Sequence, residues 1–219
     1  MNPFNVYGTN LLGCVFVYVF SSSAFLAAYP TSTQDLRKHI VTSAAAMPVY
    51  ALLPTVFQLV IAPYTKLYSE LTVWTPLHVA IFMLAVELGV YWAHRLMHTH
   101  TRLIKMHAKH HSFVTRLTSF AGFAFEPVDG IVQALPYVIV PFILPIHAGA
   151  HKLLLFFTGV WTAFIHADDV SPCVIMLGPA YHALHHRYNK TNYGHYTQLF
   201  DRLYGTLKHP VAAQVAKNC

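Results

Sequence analysis

Sixteen of the 219 residues are histidine, and eight of them fall into three short clusters. The first is His94-Arg95-Leu96-Met97-His98, the second His107-Ala108-Lys109-His110-His111, the third His182-Ala183-Leu184-His185-His186. Residues at i, i+3 and i+4 share one face of a helix, so each cluster projects its imidazoles in a single direction. Imidazole suits iron, zinc and copper, and eight convergent rings supply about four nitrogens to each of two ions. Positions left open for oxygen are what non-haem iron oxygen chemistry requires. A lone HxxxH pair is usually packing; three clusters at helical spacing point to a dinuclear metal site.

Two further histidines are candidate ligands. His166 ends the apolar run Trp161-Thr162-Ala163-Phe164-Ile165, and His195 lies in Asn192-Tyr193-Gly194-His195-Tyr196. His39, His78, His100, His147, His151 and His209 are expected in loops or at interfaces. A metal-bound imidazole hands its second N–H to a carboxylate or carbonyl, which makes Asp129, Asp168, Asp169 and Asp201 candidate partners. Glu87 stands seven residues before His94 within an apolar helix, where an acid is a functional candidate by default.

The elements that position these residues belong to a membrane protein. Charged residues make up 10% of the chain and hydrophobic residues 55%, whereas a soluble domain carries about 25% charge. The same numbers exclude disorder. The net charge of +6 is spread between apolar stretches rather than gathered in a patch, so no nucleic-acid partner is expected. Cys14, Cys173 and Cys219 are odd in number and far apart, which argues against disulfides or thiolate ligation. The first basic residue is Arg37, so the N-terminus reads as an uncleaved membrane helix rather than a signal peptide. Apolar spans are predicted over 11–29, 40–65 and 71–92, the second kinked by Pro48, Pro54 and Pro63. Two shorter apolar pieces, 130–146 and 153–167, fit either a transmembrane hairpin or re-entrant helices. The fold class is therefore all-α, a polytopic bundle of about four transmembrane or re-entrant helices with a His-rich di-metal cap. Lys and Arg mark the cytoplasmic side, which puts the clusters on that face. The expected division is 1–79 for N-terminal membrane helices, 80–210 for the catalytic domain and 211–219 for a tail.

The three boxes resemble those of the fatty acid hydroxylase/sterol desaturase superfamily of membrane di-iron enzymes, and within it the sterol C-5 desaturases, or lathosterol oxidases. That similarity rests further on Ser119-Phe120-Ala121-Gly122-Phe123-Ala124-Phe125, Pro127-Val128-Asp129-Gly130, Gln133-Ala134-Leu135-Pro136, Trp161-Thr162, Ile165-His166, Asn192-Tyr193-Gly194-His195-Tyr196-Thr197 and Asp201-Arg202-Leu203-Tyr204-Gly205-Thr206-Leu207. It covers about Leu84 to Pro210.

What the resemblance implies is an oxidoreductase of the endoplasmic reticulum membrane, with its histidine boxes facing the cytoplasm. Two iron ions would use O2, with zinc able to replace them in purified protein. Electrons would come from NAD(P)H through cytochrome b5 and its reductase, and the product would be a sterol with a new C5–C6 double bond. A sterol 4-methyl oxidase or a fatty acid hydroxylase with the same boxes is the alternative enzyme. A His-rich metal transporter is the alternative of another class, disfavoured because its ligands should sit near the bilayer midplane. Where the family usually has histidine, between Phe125 and Pro127, this chain has Glu126. Glu126 is expected to assist the ligands from outside rather than bind metal.

Overall fold

The computed structural model describes residues 2–113, 117–167 and 176–210. Helix α1 (Pro3–Ala28) opens on Asn2, whose side-chain oxygen accepts from the Phe4 N–H at 2.9 Å. Pro3 occupies the first helical position, where the missing N–H costs nothing. Helix α2 (Leu36–Tyr50) carries Pro48 inside it, and the chain resumes as α3 (Leu52–Val56). Beyond Pro54 it widens into a π-turn over Phe57–Ile61 and tightens into a 3-10 turn over Ala62–Tyr64. Prolines remove donors from the ladder and force these changes of pitch, so the predicted kinked span is one helical path of changing geometry.

Helix α4 (Thr75–Thr99) has 25 residues, about 37 Å of helix, and ends with His94 and His98. Its end defines the cap end of the bundle. The short strand β1 (Leu67–Tyr68) precedes α4 and pairs in parallel with β2 (Ile146–His147). Between β2 and the cap lie α6 (Pro127–Ile143) and α7 (Ala148–Ile165). Because β2 pairs with β1 at the start of α4, the α6–α7 turn reaches the end opposite the cap. The two short apolar pieces are therefore a hairpin of full depth. Among the described residues four helical paths are long and apolar enough to cross a membrane, 3–28, 36–64, 75–99 and 148–165, with α6 a shorter fifth.

The core between α4 and α6 is Phe82, Val86 and Val90 against Tyr137 and Val140, closed by Ile146. Two histidines expected in loops or at interfaces are buried inside the bundle. His151 is buried, with its ring near those of Phe57 and Phe82, and its Nε2 donates to the Tyr137 carbonyl at 3.0 Å. His39, in the first turn of α2, has no exposed surface.

The cap is carried by α5 (Leu103–His111), α8 (Pro179–Tyr188) and α9 (Leu199–Leu203). A non-helical strap with a 3-10 turn, Ser119–Phe123, runs beneath α5 and packs on α1, α2 and α7. Its free carbonyls need donors, and helix hydroxyls supply them. Ser22 donates to the Ser119 carbonyl at 3.1 Å, Ser119 returns a bond to the Ser22 carbonyl at 2.6 Å, and Ser43 donates to the Phe120 carbonyl at 3.1 Å. The serines that interrupt α1 thus hold irregular backbone against the bundle, the circumstance in which such backbone is tolerated there.

Gly122 lies where the strap meets α7: a Cβ there would stand 2.8 Å from the Thr162 carbonyl oxygen. Gly122→Ala is expected to push the strap off α7 and cost about 1–3 kcal/mol, read as a lowered thermal midpoint in detergent. Gly13→Ala, with nothing within 4 Å, should leave the midpoint unchanged.

Candidate metal centre

The four elements that bear the boxes and His166 bring nine imidazoles together in two buried sets. One set is His94, His98, His107, His111 and His185; the other is His110, His166, His182 and His186. Within each set one ligand atom per residue lies within 4.8 Å of all the others. The second and third boxes are each divided. Their i and i+4 members, His107 with His111 and His182 with His186, stay together, and the i+3 member joins the opposite set. The sets abut, since the His111 and His186 rings stack at 4.4 Å.

The outer nitrogens decide which way the lone pairs face. His107 Nδ1 donates to Asp129 Oδ2 at 2.8 Å, and His94 Nδ1 to the Tyr193 carbonyl at 3.0 Å. His166 Nδ1 donates to the Thr162 carbonyl at 2.7 Å, and His185 Nδ1 to the Thr191 carbonyl at 2.8 Å. A neutral ring with its proton on Nδ1 presents a bare lone pair at Nε2. These Nε2 atoms converge. His185 Nε2 stands 3.1 Å from those of His98 and His111, and His166 Nε2 stands 2.9 Å from His182 and 3.2 Å from His110. Nitrogens held about 2.0–2.1 Å from one ion at 90–109° are about 2.8–3.4 Å apart. The donor set therefore fits one small divalent cation in each set, all-nitrogen on the protein side.

Burial keeps these rings unprotonated. It pushes His166 down to about 3 and His111 to about 2, with neighbouring imidazoles adding to the shift at His111. His110, His182, His185 and His186 are held well below the ordinary value by the same two causes, burial first. A neutral imidazole is the form that binds metal.

A carboxylate-held loop orients the first set. Asp201 Oδ1 accepts from the Tyr193 N–H and Oδ2 from the Gly194 N–H, both at 2.8 Å, and Thr206 donates its hydroxyl to Oδ1 at 2.7 Å. From the membrane side Glu87 accepts from the Tyr196 N–H at 3.0 and 3.1 Å and from the Thr197 N–H at 2.8 Å. The turn ahead of this loop uses Asn189 and Asn192 at φ 59° and 57°, left-handed positions that asparagine tolerates better than most. That turn carries the Thr191 carbonyl back to His185.

Nine of the ten sequence-predicted ligands lie in the two sets; His195 does not. Its ring packs against Tyr196, its carbonyl accepts from Trp161 Nε1 at 2.7 Å, and its Nε2 has no partner among the described residues. Asp129 takes the predicted place beside a ligand, on His107, with Gln133 donating to its other oxygen at 2.9 Å. Glu87 is the hydrogen-bonded packing residue, the second reading open for an acid in an apolar helix: it holds backbone, not a ring nitrogen. Glu126 departs from expectation, since its carboxylate meets Lys109 Nζ at 2.8 Å and both side chains are more than 40% exposed. An acid at the start of α6 and a lysine within the second box satisfy each other in water, which takes Glu126 away from the metal. Asp168 and Asp169 lie outside the described residues. The carbonyl partners of His94, His166 and His185 leave no mark in the sequence, because any residue supplies a carbonyl. Phe125, whose ring stacks on His110 at 4.1 Å, stood in the sequence as the end of the Ser119–Phe125 motif, with no sign of its contact to a ligand ring.

The buried rings predict a pH dependence. Between the ordinary histidine value near 6.5 and their lowered folded values, the unfolded chain binds protons that the folded one refuses, so stability falls as pH falls. Each such ring contributes up to about 1.4 kcal/mol per pH unit. The thermal midpoint of chelator-treated protein should drop steeply from pH 7.5 to 5.5; a flat profile would contradict buried neutral imidazoles.

Comparison with known proteins agrees with this chemistry. A family model described as fatty acid hydroxylase matches residues 79–206. A Delta(7)-sterol-C5(6)-desaturase of Nicotiana tabacum is 34% identical over 219 residues, covering 95% of this chain and 80% of its own length. The lathosterol oxidase of Mus musculus is 34% identical over 222 residues, covering 91% and 73%. A relative from Arabidopsis thaliana is 38% identical over 213 residues, covering 93% and 76%. No solved structure matches. With its boxes folded into two imidazole sets at the end of a membrane bundle, the chain is an oxidoreductase of the fatty acid hydroxylase family, in the branch that includes the sterol C-5 desaturases.

Proposed function

We propose that this chain is a Δ7-sterol C5(6)-desaturase that holds one iron ion in each imidazole set. The observation that carries the reading is the pair of buried sets with inward-facing Nε2 atoms at the end of a membrane bundle. Relatives that bear the name Delta(7)-sterol-C5(6)-desaturase span most of the chain and support the substrate. An iron pair bound there would supply the oxidising power to break unactivated C–H bonds, with O2 as the acceptor. Two hydrogens leave C5 and C6 of the sterol; with two electrons and two further protons, one O2 becomes two waters. Zinc competes for the same nitrogens and would fill the sites inertly.

The residues of the chain position and exclude. His94, His98, His107, His111 and His185 hold one ion, and His110, His166, His182 and His186 the other. Asp129 and the carbonyls of Thr162, Thr191 and Tyr193 fix the ring orientations, as outer partners of metal-bound histidines do. Phe125 closes one side of His110 and keeps water off that ring. Entry from the bilayer suits a substrate whose only polar atom is one hydroxyl.

Sidedness follows the charges. Arg37, Lys38, Arg95, Arg102, Lys105, Lys109, Arg187, Lys190, Arg202 and Lys208 belong to the cap end, against Lys66 and Lys152 at the opposite end. Basic residues favour the cytoplasmic face, which supports a cytoplasmic cap in the endoplasmic reticulum membrane. The same basic surface suits an acidic electron donor, and cytochrome b5 with its reductase and NAD(P)H is the proposed source.

Expression in a yeast that lacks its own sterol C-5 desaturase should restore Δ5,7-sterols, measured by gas chromatography of total sterols. His98→Ala and His182→Ala, one from each set, should each reduce that product at least about a hundredfold while the protein remains in the membrane. Accumulation of 4-methyl oxidation products or hydroxylated fatty acids instead would overturn the substrate and leave the oxidase chemistry standing.

A further inference from the structure

Substrate chemistry constrains where a sterol must be gripped. Its one polar atom, the C3 hydroxyl oxygen, is three bonds from C5, so a molecule whose C5–C6 bond faces the metal pair carries its hydroxyl to the rim of the same site. A buried hydroxyl must meet a partner, or the polar group is left unsatisfied. In a bilayer the hydroxyl of a sterol lies at headgroup level, the level of the cap end. The partner is therefore a buried polar side chain, close to the imidazole sets, at the cap end, and with a nitrogen or oxygen that the protein itself leaves unpaired.

His39 meets each condition. It lies in the first turn of α2, where the chain enters the bundle at the cap end, and has no exposed surface. Its Nδ1 is 2.9 Å from Thr118 Oγ1, which opens the strap, and its ring meets Phe113 edge-on at 4.7 Å. Phe113 comes two residues after His111, and its N–H donates to the His110 carbonyl at 3.4 Å. The His39 Nε2 has no partner among the described residues.

Six other buried side-chain atoms lack partners among the described residues: Nδ1 of the ligand rings His110, His111 and His186, Thr191 Oγ1 in the turn that serves His185, the Tyr18 hydroxyl and His195 Nε2. The Tyr18 hydroxyl lies ten residues before the end of α1, about 15 Å of helix below the cap. His195 Nε2 is buried too, in the loop that Asp201 and Glu87 hold beside the first set, and exchange of His195 is therefore the control in the test below. The strap that presents Thr118 runs on to Phe125 over His110, so His39 and the metal face of the second set are joined by one short piece of chain.

We propose that His39, held by Thr118, is the group that binds the C3 hydroxyl of the substrate. It is a binding residue from the N-terminal helices, outside the matched segment 79–206, and it sets which end of the sterol faces the metals. The proposal rests on the sterol desaturase reading above.

The test compares a Δ7-sterol with its 3-deoxy and 3-methyl-ether analogues in membranes that contain the full-length protein and a reconstituted electron supply. Wild type should use the hydroxyl sterol at least about tenfold better in kcat/KM, the worth of one hydrogen bond to a buried group. His39→Phe should lose that preference, mainly through KM for the hydroxyl sterol, and His39→Gln, whose amide keeps an acceptor and a donor, should retain part of it. A merely structural role for His39 would lower activity on all three sterols alike and overturns the proposal. So does equal use of the three by wild type, which needs no variant to fold, or loss of the preference in His195→Phe instead. If no sterol is oxidised at all while metal and electrons are supplied, the desaturase reading itself fails, an outcome distinct from the rest.

Discussion

Nine imidazoles packed into one end of a membrane bundle repel one another through their lone pairs, and the rest of the structure answers that constraint. Rings held 2.9–3.2 Å apart at Nε2 are tolerable only with a shared cation or a proton between them. Burial withholds the second proton from each ring, as the lowered values of His111 and His166 indicate, and His94, His107, His166 and His185 spend their one N–H on outer partners. What remains is a nitrogen cage organised for cations. The outer hydrogen bonds to Asp129 and to three backbone carbonyls keep the cage from turning its rings outward, and they fix the tautomer as well as the direction.

The bundle serves this cage in two ways. Its long helices bring α4, α7 and the α8 segment to a common level, so residues separated by as many as 92 positions, His94 and His186, belong to adjacent sets. The irregular strap then closes the gap between bundle and cap. Its carbonyls would be costly at membrane depth without donors, and Ser22 and Ser43 provide them. Two buried carboxylates, Glu87 and Asp201, hold the 193–197 loop from opposite sides. These two acids thus act on backbone, while Asp129 holds the His107 ring, and the metal-facing atoms are left to histidine.

Much of this was legible in the sequence, for physical reasons that differ by residue. The boxes announced themselves because metal ligation on a helix demands i, i+3, i+4 spacing of one rare residue type. The apolar paths were visible because a bilayer demands about 20 apolar residues. The hairpin of α6 and α7 was not decided by composition; the pairing of Leu67 with Ile146 decides it, a contact between two-residue strands without a pattern of their own. The division of the second and third boxes between sets was hidden, since the spacing makes one face without saying where that face lies relative to the other helix. Glu126 was expected to assist the ligands because it stands where the family usually has histidine, but its carboxylate meets Lys109 in water instead. His39 was expected in a loop or at an interface, because a single histidine outside the boxes carries no pattern of its own; the fold buries it.

The central claim is that the two sets hold two separate ions. Metal content measured on protein purified without oxygen and reloaded with ferrous iron tests it most directly, with His98→Ala and His182→Ala measured beside wild type. Wild type should carry two iron ions per chain and each variant one, with both lost when the substitutions are combined. A single ion in wild type, or two ions retained in either variant, would contradict it.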